Sequence, residues 1–269
     1  MKHKIGFVDE FKKEKNDVST QIVHQPKEVR KSLVRVYFAK RVDTYTYYND
    51  AFDLKPGDFV YVDGKLAGEI GRVVEVEYNF KIKLSDYHKV IYRVDNEVHG
   101  EFYADKSYFV TFDRYAIPQE TVSPWFVCPC DDEDVIVSTD DKSYNLEAME
   151  SFGFSLGVIE RGREYYFENR VKYIYLDGTR GYAAVEGSEG YEVEFEYNDG
   201  CISKLVCSCP CGIKCKHEYA AIALLDDILK FIKEKHKDEY EKEGYFAAIL
   251  KEELFYFSID GRQNASFLL

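Results

Sequence analysis

The sequence has no long apolar run: its longest wholly aliphatic stretch is the six residues Ala220 to Leu225, against the roughly 20 that a membrane-crossing helix needs. The charged N-terminus is followed by no apolar stretch, so nothing reads as a secretory leader. It also lacks an excess of positive charge, since 36 basic residues face 49 acidic ones for a net −13. That balance argues against strong nonspecific affinity for a nucleic-acid duplex, which rests on neutralising phosphates. Neither a P-loop nor a dinucleotide fingerprint occurs, which leaves ATPase and dehydrogenase chemistry without support. An even cysteine complement is missing too. Seven cysteines, five of them between Cys201 and Cys215, suit thiolate chemistry in a reducing compartment better than a disulfide framework. The expected location is the cytoplasm.

What is present is enough apolar and aromatic material, 45% and 16% of 269 residues, to exclude a disordered chain and to build one large or two modest cores. Charge is uneven. Residues 1–42 hold 11 basic and 5 acidic side chains (+6), whereas 121–200 hold 6 and 18 (−12). Residues 1–28 read as a polar basic arm containing Lys12, Lys13 and Lys15. Residues 29–118 change to short apolar and aromatic runs such as 33–38 and 57–62, broken by Gly, Asp and Asn. That spacing predicts strands of a small antiparallel barrel.

Asp63-Gly64 reads as a tight hairpin, because its central positions need positive φ. Tyr45, Tyr47 and Tyr48 are expected to fill core and cross-strand positions, with base stacking as the alternative. Residues 119–157, with Trp125, the Cys128/Cys130 pair, the acids Asp131 to Asp134 and a helix-like Leu146 to Phe152, read as an acidic connector carrying a short helix. Cys128 and Cys130 are taken as structural, since no companion pair is left to complete a metal site with them.

The sharpest signal is the stretch CSCPCGIKCKHEYAAIALL, in which Cys207, Cys209, Cys215 and His217 form C-x-C, a five-residue loop and C-x-H. Four such donors suit one tetrahedral zinc ion that leaves no position open for water or substrate, so the expected role is structural. Before it, Tyr191 to Tyr197 alternates apolar and acidic residues as a half-exposed strand, Asn198-Asp199-Gly200 is a turn, and Ile202 to Val206 returns. After it, Ala221, Leu224, Leu225, Ile228, Phe231 and Ile232 recur at helical spacing. Zinc would thus join a hairpin end to a helix start, where the macrodipole favours the Cys215 thiolate. Cys211, inside the loop, is an alternative ligand in place of Cys207 or Cys209. Tyr245 to Phe257 reads as a last, apolar helix.

This pattern resembles the SWIM-type zinc finger family, C-x-C followed by a variable loop and C-x-H. Arg161-Gly162, Tyr165, Ala184-Val185-Glu186-Gly187-Ser188 and Tyr191-Glu192-Val193 stand where bacterial members carry similar residues, and Pro210 and Lys216 match their CxCP and CKH contexts. The resemblance spans residues 158–225. It implies Cys207, Cys209, Cys215 and His217 as ligands in a domain covering 158–269, and a role in nucleic-acid or protein contacts. A weaker resemblance links LKPGDFVYVDGKLAGEIGRVVEV to small barrels found in nucleic-acid proteins, a scaffold that names no ligand.

The expectation is therefore an α+β zinc-binding interaction module. It would contact DNA or RNA through the finger and basic arm, with a protein adaptor as the alternative; no membrane partner is expected and no small-molecule substrate is identified. Gly153-Phe154-Ser155-Leu156-Gly157 spells a nucleophile elbow but lacks the strand before it and the base to serve it. Ser155 is read as accidental and the protein as a non-enzyme. The remaining histidines, His3, His24, His88 and His99, need no function.

Overall fold

The computed structural model describes residues 4–7, 29–129, 135–260 and 267–268, the first and last of these segments by backbone alone. Lys12, Lys13, Lys15, Cys130 and the acids 131–134 lie outside the described residues. The chain is α+β. It divides into a smaller unit, residues 8–95 with 260–266, and a larger one comprising 1–7, 96–259 and 267–269.

Strand β1 (Lys4–Phe7) belongs to the larger unit. The smaller unit holds β2 (Ser32–Phe38), β3 (Asp43–Asn49), β4 (Phe59–Val62), β5 (Gly71–Glu77) and β6 (Val90–Arg93), ordered β3-β2-β5-β4-β6. Its core is β-branched and aromatic, with Val34, Val36, Phe38, Val60, Val62 and Val73 buried. The expected barrel is not closed. Among the described residues one isolated parallel bridge, Tyr48 to Lys89, links the edge strand β3 towards the other edge, β6. Asp63-Gly64 does not make a two-residue hairpin either: Gly64 has φ +83° but opens a 3-10 turn, Gly64–Leu66, before the chain bends back into β5. A Cβ on Gly64 would lie 2.4 Å from the His88 ring. Tyr47 and Tyr48 are buried, leaving only Tyr45 partly open against Phe38, so this strand presents no row of free rings.

The larger unit continues with β7 (Glu101–Asp105), β8 (Tyr108–Thr111), α1 (Gln119–Phe126), β9 (Ser143–Asn145), α2 (Leu156–Phe167), β10 (Val171–Asp177), β11 (Arg180–Glu186), β12 (Gly190–Asn198) and β13 (Cys201–Cys207). It ends with α3 (Lys216–Lys235), α4 (Lys237–Glu243), β14 (Tyr245–Leu250), α5 (Lys251–Ser258) and β15 (Phe267–Leu268). All ten strands form one antiparallel sheet, ordered β15-β1-β7-β8-β14-β10-β11-β12-β13-β9.

Three expectations change here. The strands at 101–111 join the large sheet, not the N-terminal one. The helix expected from Leu146 to Phe152 shrinks to a 3-10 turn, Met149–Phe152, closed by Gly153 at φ +67°. The apolar stretch from Tyr245 begins as a strand: all six residues of β14 are buried because it runs through the sheet between β8 and β10, so alternation is absent. Only α5 after it is helical.

Period 2 in the strands and 3.6 in α3 meet across one core. Ile174, Leu176, Val185, Val193, Phe195, Ile202 and Phe246 from the sheet pack with Ala221, Leu224, Leu225, Ile228 and Ile232 of α3. On the opposite face, Tyr173 donates to the Ile117 carbonyl (2.7 Å) and Tyr182 meets Ser123 (2.8 Å), which seats the segment containing α1. Trp125 stacks on Phe257 at 4.8 Å. The start of the expected connector is thus packed structure. Phe246→Ala should cost about 3–5 kcal/mol through the cavity it leaves, read as a lower urea midpoint at unchanged slope.

Candidate metal centre

The hairpin that carries the first pair of donors closes through Asp199 (φ +46°) and Gly200 (φ +80°), the double positive φ of a turn whose twist matches its strands. Its register pairs Val193 with Cys207. Pairing then continues one step beyond the strand, since Ser208 N donates to the Glu192 carbonyl (2.9 Å) and Glu192 N to Ser208 Oγ (2.9 Å). This holds Cys207 and Cys209 at a fixed end of the sheet.

The second pair is set by the start of α3. Cys215 is its N-cap: the sulfur accepts the Glu218 N–H (3.4 Å) while the Glu218 carboxylate accepts the Cys215 N–H (2.7 Å). That is a capping box with a thiol in the hydroxyl's place. His217 follows within the first turn.

These elements bring Cys207, Cys209, Cys215 and His217 together, with one donor atom from each lying within 4.8 Å of all the others. His217 Nδ1 sits 3.8 Å from Cys207 Sγ and 3.7 Å from Cys215 Sγ. Bonds of about 2.3 Å to sulfur and 2.0–2.1 Å to nitrogen at tetrahedral angles give an S···N edge of about 3.6 Å, so the observed edges fit a four-coordinate ion with little adjustment. Cys209, Cys215 and His217 are buried and Cys207 half-buried. The cluster can hold a metal ion. Cys211, the alternative ligand, is exposed and lies outside this group of four. Cys128 is half-buried.

Without a cation, the thiols oppose one another's ionisation. The hydrogen bond between Cys207 and Cys215 pulls Cys215 down to about 4 and pushes Cys207 well above the ordinary thiol range. Burial raises Cys209 to about 12. Burial, then the Cys215 charge, lifts Glu218 to about 7. One thiolate is therefore the most that three adjacent sulfurs support near neutrality, whereas a bound dication reverses the balance.

The surrounding wall explains residues whose role the sequence did not reveal. A Cβ on Gly187 would lie 2.6 Å from the Tyr191 ring and 3.1 Å from His217 Nε2, so glycine there lets both rings approach. Tyr191 lies 4.6 Å and Tyr165 5.4 Å from the His217 ring, centroid to centroid. Gly162 of α2 is needed for close approach to α3, since a Cβ would lie 2.5 Å from the Tyr219 ring. The one available clue for Glu218 was its spacing, three residues after Cys215. Ser155 is a helix N-cap, its Oγ accepting the Val158 N–H (3.4 Å). The G-x-S-x-G spelling thus closes a 3-10 turn and starts α2.

No family model matches the chain, and no solved structure matches it. A protein of Methanocaldococcus jannaschii described only as uncharacterized is 30% identical over 102 residues, covering 35% of this chain and 43% of that relative. The chain thus matches less than half the length of that relative.

Two outcomes are expected of metal binding. Near pH 7, Cys207 and Cys209 hold protons and Cys215 does not, so uptake of a dication should release about two thiol protons. Affinity should then rise about a hundredfold per pH unit, measured by calorimetry in buffers of different ionisation enthalpy. Gly187→Ala, which crowds His217, should weaken binding about 10- to 100-fold in a competition titration against a chelator.

Proposed function

We propose that Cys207, Cys209, Cys215 and His217 hold one structural zinc ion and that the protein is a SWIM-like interaction module contacting nucleic acid beside that ion. Three thiolates and an imidazole favour zinc over harder dications, and four protein ligands leave no catalytic position. The zinc joins the end of β13 to the start of α3 and holds the neighbouring surface in place.

The observation that carries the nucleic-acid reading is a group of cations at this corner of an otherwise acidic chain. Lys214 and Lys216 flank Cys215, with Lys214 Nζ 4.0 Å from the Tyr144 ring centroid and Lys216 Nζ 4.2 Å from that of Tyr165. Arg161 and Arg163 lie exposed on α2, and Arg163 Nε donates to Tyr219 Oη of α3 (3.3 Å). Local positive charge, and not net charge, is what phosphate contact requires. The basic arm, Lys12, Lys13 and Lys15, would add to it.

A protein adaptor is the second reading. It is favoured by Leu156 and Ile213, 80% and 81% exposed close in sequence to these cations, and by the net charge of −13. In that case zinc only maintains the fold.

Fluorescence anisotropy of labelled single-stranded and duplex DNA and RNA, with zinc-loaded protein at two salt concentrations, separates the readings. Binding that falls with salt and weakens about tenfold or more in Arg161→Glu/Lys216→Glu, at unchanged zinc content, is expected for nucleic-acid contact. Flat traces from folded, zinc-loaded protein would reject it in favour of the adaptor.

A further inference from the structure

We infer that a cleft at the far end of α3 from the metal centre binds a small zwitterion with an apolar side chain, of the amino-acid or short-peptide class. The cleft holds about 540 Å³, inside the range of roughly 300–1,000 Å³ usual for small-molecule sites. One wall is the turn between β12 and β13 with the residues around the end of β9; the other is the C-terminal half of α3 with α4. Cys207 and Cys215 stand at the opposite ends of β13 and α3, so the inference depends on neither zinc nor nucleic acid.

The interior is apolar and held in place. Leu146 and Ile232 are buried and Leu229 half-buried at its base, and Leu146 N donates to the Gly200 carbonyl (2.9 Å), which ties the two parts of the first wall together. Tyr197 and Tyr240 line the cleft as half-buried rings. Tyr240 is braced edge-on against Phe246 at 5.9 Å between centroids. Burial pushes both phenols above their ordinary range, so they are neutral at any physiological pH. The Tyr240 hydroxyl has no hydrogen-bond partner among the described residues, which leaves a donor available to a ligand.

The charges at the mouth select the ligand. Lys230 donates to Asp226 (2.5 Å) and Lys237 pairs with Glu241 (3.3 Å), each one helical turn away. Lys233 on α3, and Asp199 and Glu147 on the other wall, make no ion pair among the described residues. Three lysines against four acids leave the lining at −1. A nucleotide or other phosphate-rich anion is repelled by that balance, whereas a ligand with one ammonium and one carboxylate matches it. The ammonium answers Asp199 and Glu147 beside the tyrosine rings, the carboxylate answers Lys233, and the side chain covers Leu146, Leu229 and Ile232. These residues, spread from 145 to 241, form a site only once the sheet and α3 have packed, so no local motif announces it.

The test titrates the full chain by calorimetry with L-phenylalanine, with L-leucyl-L-phenylalanine, with the N-acetylated amide of that dipeptide, and with adenosine monophosphate. Asp199→Asn and Lys233→Gln are compared with the parent; both positions are exposed, and asparagine tolerates the φ of +46° at position 199. Thermal melts check that the variants fold as the parent does. The expected result is saturable binding of at least one zwitterion, weakened about fivefold by each substitution and by blocking the termini, with no binding of the nucleotide. No saturable binding of either zwitterion by the parent would overturn the inference. So would binding indifferent to both substitutions, equal affinity for the blocked dipeptide, or preference for the nucleotide. None of these outcomes bears on the metal centre.

Discussion

The packing of α3 across the large antiparallel sheet determines where its first turn stands, and the candidate metal centre exists only in consequence. Ala221, Leu224, Leu225, Ile228 and Ile232 repeat at the period that gives α3 one apolar face, and the alternating strands supply the matching one. Hydrophobic burial is non-directional, so it brings the surfaces together without specifying a sulfur position. Direction comes from local hydrogen bonding. The capping box between Cys215 and Glu218 fixes the first turn, and the ladder extended through Ser208 fixes the hairpin's end. Four donors meet because these two anchors belong to elements already pressed against each other.

Close approach at the centre depends on missing side-chain volume. Gly162 brings α2 against Tyr219, and Gly187 admits the Tyr191 and His217 rings. The aromatic wall thus formed around His217 excludes water from one side of the cluster, which strengthens any charge interaction made there. It also leaves His217 Nε2 without a protein hydrogen-bond partner among the described residues.

The parts legible in the sequence were those governed by short-range rules. The hairpin from Gly190 to Cys207 announced itself through alternation and a turn with two positive-φ positions, α3 through its period, and the four donors through their spacing. Membership of a sheet is a long-range property, and there the reading went astray. Glu101 to Thr111 has the same strand-like composition as the preceding β segments, yet its second strand, Tyr108–Thr111, pairs with β14, more than a hundred residues later. Tyr245 to Leu250 misled for the opposite reason: a strand buried on both faces shows no alternation, so its apolar run is indistinguishable from part of a helix. The wall residues Gly187 and Tyr191 act through space on His217, distant in sequence, which spacing alone does not reveal.

The place of β14 in the sheet also bears on the order in which the large unit assembles during synthesis. It alone links the β7–β8 hairpin to the meander β10 to β13, through ladders to β8 on one side and β10 on the other. The meander, α3 and the loop between them, which together carry all four donors, are complete by Lys235, ten residues before β14 begins. A ribosome therefore exposes the whole donor set while the two halves of the sheet still present open edges. Metal capture and meander formation can precede closure, leaving the early hairpin to wait for β14.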